Sequence, residues 1–240
     1  MSTIAEAQHI LRSLALKDRE AIARWLDAYQ EEPAGFVGVS EPAVKYADEL
    51  PYMTVEEYLK FEESSPTRHE YVNGYVHAMN GASMAHGLVA NYLYQAISKR
   101  LGDGPCQIFT AGLKLMVDTV SEKEYLYPDL MVSCDRAGWR DMWLHNPRFI
   151  VEVLSPSTQH IDRREKAATY RRMPSVEEYV IAAQSSWHLT ILRRAENWVP
   201  EVVSGRDGVA EFRSLGVAVP LAEIYRRPFS ESVADGSGPE

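Results

Sequence analysis

The chain has 240 residues, is 45% apolar and 25% charged, and carries a formal net charge of −9, which describes one ordinary globular domain or a domain with an appendage. That charge excludes a protein held to nucleic acid by bulk positive charge, though not an enzyme whose local basic face meets phosphates. No signal-peptide pattern opens the chain and no apolar run approaches membrane-spanning length, and with only Cys106 and Cys134 and no CxxC pair, neither a zinc cluster nor a disulfide framework is expected and a reducing cytoplasm is the simple reading.

Residues 1–32 read as a helical hairpin, because Ile10, Leu11 and Leu14, then Ile22, Trp25, Leu26 and Tyr29, fall at helical spacing, with Asp18 placed to cap the second helix. Pro33, Gly35, Gly38 and Pro42 make 33–51 a linker. The main unit, 52–228, opens with Thr54-Val55-Glu56-Glu57, a capping-box signature that predicts a helix to about Glu63. Asn73-Gly74 predicts a hairpin within residues 68–79. Ser83 leads into a helix on which His86, Val89, Leu93, Ala96, Ile97 and Leu101 recur at helical spacing, ended by Gly102 and Gly104. Residues 106–118 read as one strand interrupted at Gly112. Two short apolar runs follow, one after Tyr127-Pro128-Asp129 and one at Phe149–Leu154, separated by a loop with Trp139 and Trp143. Asp162 to Met173 reads as a charged helix ended by Pro174. Strands are expected at 178–182, 188–193 and 198–203, a short helix at 220–225, and a flexible tail from 229 to 240. This order describes a mixed central sheet flanked by helices, an α/β or α+β class.

Asp129 and Glu152 are the first candidates for chemistry. Each is a carboxylate on an apolar run, where it is costly unless paired or bound to a cation. Two of them on neighbouring strands can share one hard ion such as Mg²⁺ (or Mn²⁺); the alternative is that each sits at a strand end and faces water. Phosphodiester hydrolysis also needs a cation near the attacked phosphorus. Lys166 is one candidate, since Asp162, Lys166 and Tyr170 share a helical face; Lys114, inside an apolar strand, is the rival. Glu70 offers a third carboxylate to a metal or a partner for Arg68. His86 can touch substrate or a carboxylate, or serve a structural role. Arg163, Arg164, Arg171 and Arg172 give the charged helix a basic flank able to meet phosphates.

Thr54-Val55-Glu56-Glu57-Tyr58-Leu59, Arg68-His69-Glu70-Tyr71-Val72-Asn73-Gly74, His86, Tyr127-Pro128-Asp129, Glu152 to Thr158 and Asp162-Arg163-Arg164-Glu165-Lys166, in that order, resemble a bacterial restriction-endonuclease-like family formerly catalogued as a domain of unknown function. Its members look like PD-(D/E)xK nucleases, and the likeness covers roughly 52–228. It implies a core of helix, four-stranded mixed sheet and helix, with Asp129 as the first acid of the motif and Glu152 as the second. Leu154 stands where the superfamily pattern has Lys; in some nuclease groups a Lys on the neighbouring helix takes that role, and Lys166 matches such a migration. The first reading is a Mg²⁺-dependent endonuclease on DNA, acting as a homodimer; the N-terminal hairpin lies outside the resemblance and is expected either to dock on the main domain or to offer a surface to a protein partner. The competing readings are an inactive nuclease-fold module that binds without cleaving, consistent with Leu154 and the acidic charge, and a hydrolase of small phosphate esters.

Overall fold

The protein is described here by a computed structural model, which describes residues 52–79, 81–118, 123–154 and 166–226. The N-terminal hairpin and linker, the Ser155–Thr158 turn, Asp162 with Arg163 and Arg164, and the tail lie outside the described residues.

Helix α1 (Val55–Ser64) starts at the predicted capping box: Thr54 Oγ1 accepts from the Glu57 amide at 3.3 Å, and the Glu57 carboxylate accepts from the Thr54 amide at 2.8 Å. Strands β1 (His69–Val72) and β2 (Tyr75–Ala78) form the predicted hairpin. Asn73 and Gly74 turn it with φ of 52° and 84°, both left-handed. The positive φ of Gly74 is what asks for glycine there, since the exposed Tyr52 ring beside it can swing aside. Helix α2 (Met84–Leu101) is capped by Ser83 and stops at Gly102.

The predicted strand at 106–118 is instead two. Ala111–Leu113 make a turn, with the Leu113 amide donating to the Thr110 carbonyl at 3.2 Å, and the halves β3 (Gln107–Thr110) and β4 (Lys114–Asp118) join different sheets. The glycine marks a change of sheet. Strand β5 (Lys123–Leu126), too short to show a period, was not anticipated. Then come β6 (Leu130–Ser133), β7 (Trp143–Leu144) within the Trp loop, β8 (Phe149–Leu154), α3 (Ala167–Arg172), β9 (Glu178–Ala183), β10 (His188–Arg193) and β11 (Pro200–Ser204). Strand β11 begins two residues later than expected because Asn197 and Trp198 take φ of 53° and 62°. An unforeseen hairpin, β12 (Val209–Phe212) and β13 (Val217–Pro220), precedes α4 (Leu221–Ile224).

The strands form a mixed α+β architecture. A six-stranded sheet runs β11-β10-β9-β8-β6-β3, a five-stranded sheet runs β2-β1-β5-β4-β7, and β12-β13 stand apart. In the larger sheet β8 and β9 are parallel and the other pairs antiparallel. Every residue of β8 is buried, as its unbroken apolar run requires for a strand covered on both faces. Val151 and Val153 pack beneath α2 with Val89, Leu93 and Ile97. Ile150 and Leu154 pack on the other face with Tyr170 of α3. Among the described residues no helix is long and apolar enough to cross a membrane.

A further expectation is overturned. Cys106 and Cys134 form a disulfide, with S–S 2.01 Å. They extend the β3–β6 register, in which Gln107 faces Ser133, by one residue, so the antiparallel pairing sets the two thiols opposite each other although 28 residues separate them.

Candidate active site

Strand register sets the residues of the two acids opposite each other. Strands β6 and β8 pair with Leu130 opposite Val151, and one further step brings Asp129 level with Glu152. Asp129 is fixed from two sides: Oδ2 accepts from the Val153 amide at 2.7 Å, and Oδ1 accepts from Nε2 of His86 at 2.9 Å. His86 is placed by the α2 cap, where its amide donates to Ser83 Oγ at 3.1 Å; the same hydroxyl donates to Gln184, just after β9, at 2.8 Å. The start of α2 is thereby tied to the ends of the strands that carry the acids.

Glu152 is 4% exposed. Its Oε1 accepts from the Tyr170 hydroxyl at 2.7 Å and lies 3.3 Å from Nζ of Lys166. Burial, then the Glu152 charge, hold the Tyr170 phenol far above its ordinary range, so it remains a donor. Nζ of Lys166 also lies 2.9 Å from Oε1 of Glu70, and that oxygen accepts from the Tyr127 amide at 3.1 Å. One ammonium thus bridges an acid from each large sheet, and its side chain is only 12% exposed.

Lys114 is set apart from this group. Its ammonium lies 5.8 Å from the centre of the Tyr58 ring, burial depresses its pKa, and the charges that oppose that shift are Glu62 and Glu63. Arg68 does not pair with Glu70. It donates to the Ala111 carbonyl at 2.8 Å and lies 5.7 Å from the Tyr127 ring centre.

Sequence reasoning missed a buried support behind Tyr127. Glu62 Oε1 accepts from the Tyr127 hydroxyl at 2.7 Å and from the His69 amide at 3.1 Å, and Oε2 lies 3.0 Å from Nδ1 of His69. Burial, then the bond to Glu62, push the Tyr127 phenol up. This group holds the Tyr127-Pro128-Asp129 segment from below. Its signal was a Glu four residues after Tyr58, on the inward stripe of an amphipathic helix.

The donors suit a hard cation. Mg²⁺ commonly takes one or two protein carboxylates and completes its shell with water and substrate phosphate. Asp129 and Glu152 are the pair that could take that part, and the Lys166 ammonium lies 3.3 Å from Glu152. Among the described residues no group of three His, Cys, Asp or Glu side chains converges as a ligand set, and Glu70 is turned to Lys166 and the Tyr127 amide.

A solved structure whose title reads "putative nuclease belonging to DUF820", from Anabaena variabilis, superposes with a TM-score of 0.60 at 15% identity, covering 74% of this chain and 99% of that one. Two Synechocystis sp. proteins, slr1290 and sll1609, both described as uncharacterized, are similar in sequence. The first is 31% identical over 74% of this chain and 93% of its own length, and the second 28% identical over 67% and 92%. Residues 55–222 match the Uma2 family model, described as "Putative restriction endonuclease", and the chain belongs to that family.

Proposed function

We propose that this protein is a metal-dependent nuclease that hydrolyses DNA phosphodiester bonds, as an endonuclease. The observation that carries the reading is the register that sets Asp129 opposite Glu152 on adjacent strands, with the Lys166 ammonium 3.3 Å from Glu152. The family description and the nuclease title of the structural neighbour support it.

In this reading Asp129 and Glu152 hold Mg²⁺ (or Mn²⁺). When bound, such an ion supplies Lewis-acid stabilisation of the phosphoryl oxygens and a more acidic water. The chain's own groups do the rest. Lys166 offers an ammonium beside Glu152 to orient the attacking water and to offset the charge that builds on the phosphoryl group. Tyr170 fixes the Glu152 carboxylate, and His86 with the Val153 amide fixes Asp129, so neither acid must reorganise during the reaction. Glu70 holds Lys166 in register. Leu154 is 3% exposed and sits in the apolar cluster around Tyr170, and in this reading Lys166 takes the part that a lysine at that position would have.

Cutting both strands of a duplex with one site per chain favours a homodimer. A DNA substrate favours the cytoplasm, where the Cys106–Cys134 bond would be exposed to reduction.

The test is Mg²⁺ calorimetry on wild type, Asp129→Asn and Glu152→Gln, beside nicking of supercoiled plasmid. Metal binding and nicking confined to wild type are expected. Nicking that survives Glu152→Gln and persists in EDTA would refute the reading, and DNA bound without nicking at any metal concentration would favour an inactive binding module.

A further inference from the structure

The outer side of α3 is basic. Ala168, Arg171 and Arg172 are exposed on it, a small residue between two guanidinium groups, while Thr169 and Tyr170 face inward. Behind Arg171 stands Trp198. The guanidinium carbons of Arg171 and Arg194 lie 5.9 and 4.9 Å from its ring centre. Trp198 takes φ of 62°, a conformation rare for a bulky side chain, and there its carbonyl accepts from Arg171 at 3.4 Å. Arg194 donates to the Val176 carbonyl at 2.8 Å, to the Arg171 carbonyl at 3.2 Å, and to the Met173 carbonyl, so it closes the last turn of α3.

These charges are poorly compensated. Arg100, Arg148, Arg193 and Arg213 each pair with a glutamate. Among the described residues no carboxylate pairs with Arg171 or Arg194, and Arg172 has only Glu124, at 3.9 Å. The nearby site presents Asp129, Glu152 and Glu70 against one lysine, in a chain of net charge −9. A polyanion approaching those acids needs positive charge close by, and this face supplies it.

We propose that this face, Arg171 and Arg172 backed by Arg194 and Trp198, binds the phosphodiester backbone of DNA that flanks the bond held at the acids. The proposal rests on the nuclease reading and extends it to a substrate surface. The contacts are to phosphate, so they give affinity and register without base preference.

The experiment titrates fluorescein-labelled duplex DNA with full-length Glu152→Gln protein and follows anisotropy at several salt concentrations. Adding Arg171→Ala and Arg172→Ala together is expected to weaken binding to every sequence alike and to flatten the plot of log Kd against log salt by about two. Replacing both by Lys keeps most of the slope. Thermal melting confirms that each variant folds, and Arg172→Glu, at an exposed position, serves should the double variant not fold: it is expected to weaken binding with a reduced slope. Unchanged affinity and slope in the folded variants overturns the proposal and leaves the nuclease reading standing. A Glu152→Gln parent that binds no DNA overturns it too, and plasmid nicking by wild type then decides whether the nuclease reading falls with it.

Discussion

Replacing Lys166 by Met keeps the length and apolar stem of the side chain and removes the cation between two acids. Nζ lies 2.9 Å from Glu70 and 3.3 Å from Glu152, and the three side chains are 12%, 16% and 5% exposed. Removing one partner from a buried ion pair costs about 3–5 kcal/mol, because the remaining charge stays desolvated. The partial exposure of Glu70 and the Tyr170 hydroxyl that stays on Glu152 place this case at the lower end, about 3 kcal/mol. For a domain of this size that lowers Tm by about 6–12 °C. Mg²⁺ in hundredfold excess over its Kd adds about 2.7 kcal/mol wherever Asp129 and Glu152 both remain, so it is expected to raise the melting temperature of wild type and of Lys166→Met and not that of Lys166→Met/Glu152→Gln. Melting followed by circular dichroism, with and without Mg²⁺, reads both numbers, and plasmid nicking by Lys166→Met is expected to be lost even at saturating metal. A variant that melts like wild type and still nicks plasmid would refute both the bridging geometry and the role given to the ammonium.

Three further outcomes are expected. Tyr170→Phe strips a buried carboxylate of its 2.7 Å donor, costing about 1–3 kcal/mol, and it slows nicking while Lys166 still reaches Glu152; stability equal to wild type in urea denaturation would count against the bond. Glu178→Ala, away from the site, removes the acceptor for Arg193 Nε at 2.7 Å and for the amides of Arg213 and Ser214 at 3.0 and 2.7 Å; Arg193 keeps Glu196 and Glu201 as partners, so a loss of about 1–3 kcal/mol is expected in chemical denaturation, with metal binding unchanged. Burial raises the phenols of Tyr58, Tyr127, Tyr170 and Tyr225 well above 10.0 in the fold. Above pH 10 the unfolded chain releases protons that the native state keeps, so this contribution is whole below pH 10 and is lost as pH rises further. Once the four unfolded phenols are ionised, stability falls by about 5 kcal/mol per pH unit, and a melting temperature flat from pH 9 to 11 would contradict it.

The parts of the fold that were legible before any coordinates are those dictated by local chemistry. Thr54 and Glu57 mark a helix start because their side chains satisfy orphan amides. Asn73-Gly74 marks the hairpin because both residues tolerate positive φ. What was not legible depends on pairing across distance. Nothing around Gly112 says that β3 and β4 part to different sheets, and nothing near either cysteine says that they face each other, since both facts follow from register set by other strands. The same holds for Glu62, whose partners Tyr127 and His69 come from two other elements.

The candidate site divides along that line, and Leu154 shows why. Strand alternation puts Glu152 and Leu154 on one face and Val153 on the other. The face that receives Leu154 also receives Ile150, Met131 and Tyr170, so a lysine at 154 would bury its stem and charge within an apolar cluster. A lysine that enters from a helix laid over that face avoids the conflict. Residues 166 and 170 are one helical turn apart, so the turn that brings Lys166 to Glu152 also brings the Tyr170 hydroxyl to the same oxygen. Read along the strand the motif lacks its cation; read across α3 and β8, Glu152 has both an ammonium and a phenol. Spacing within α3 foretold the shared helical face. That this face lies over Glu152, and that Glu70 meets it from the other sheet, follows from the packing of the two sheets about α3.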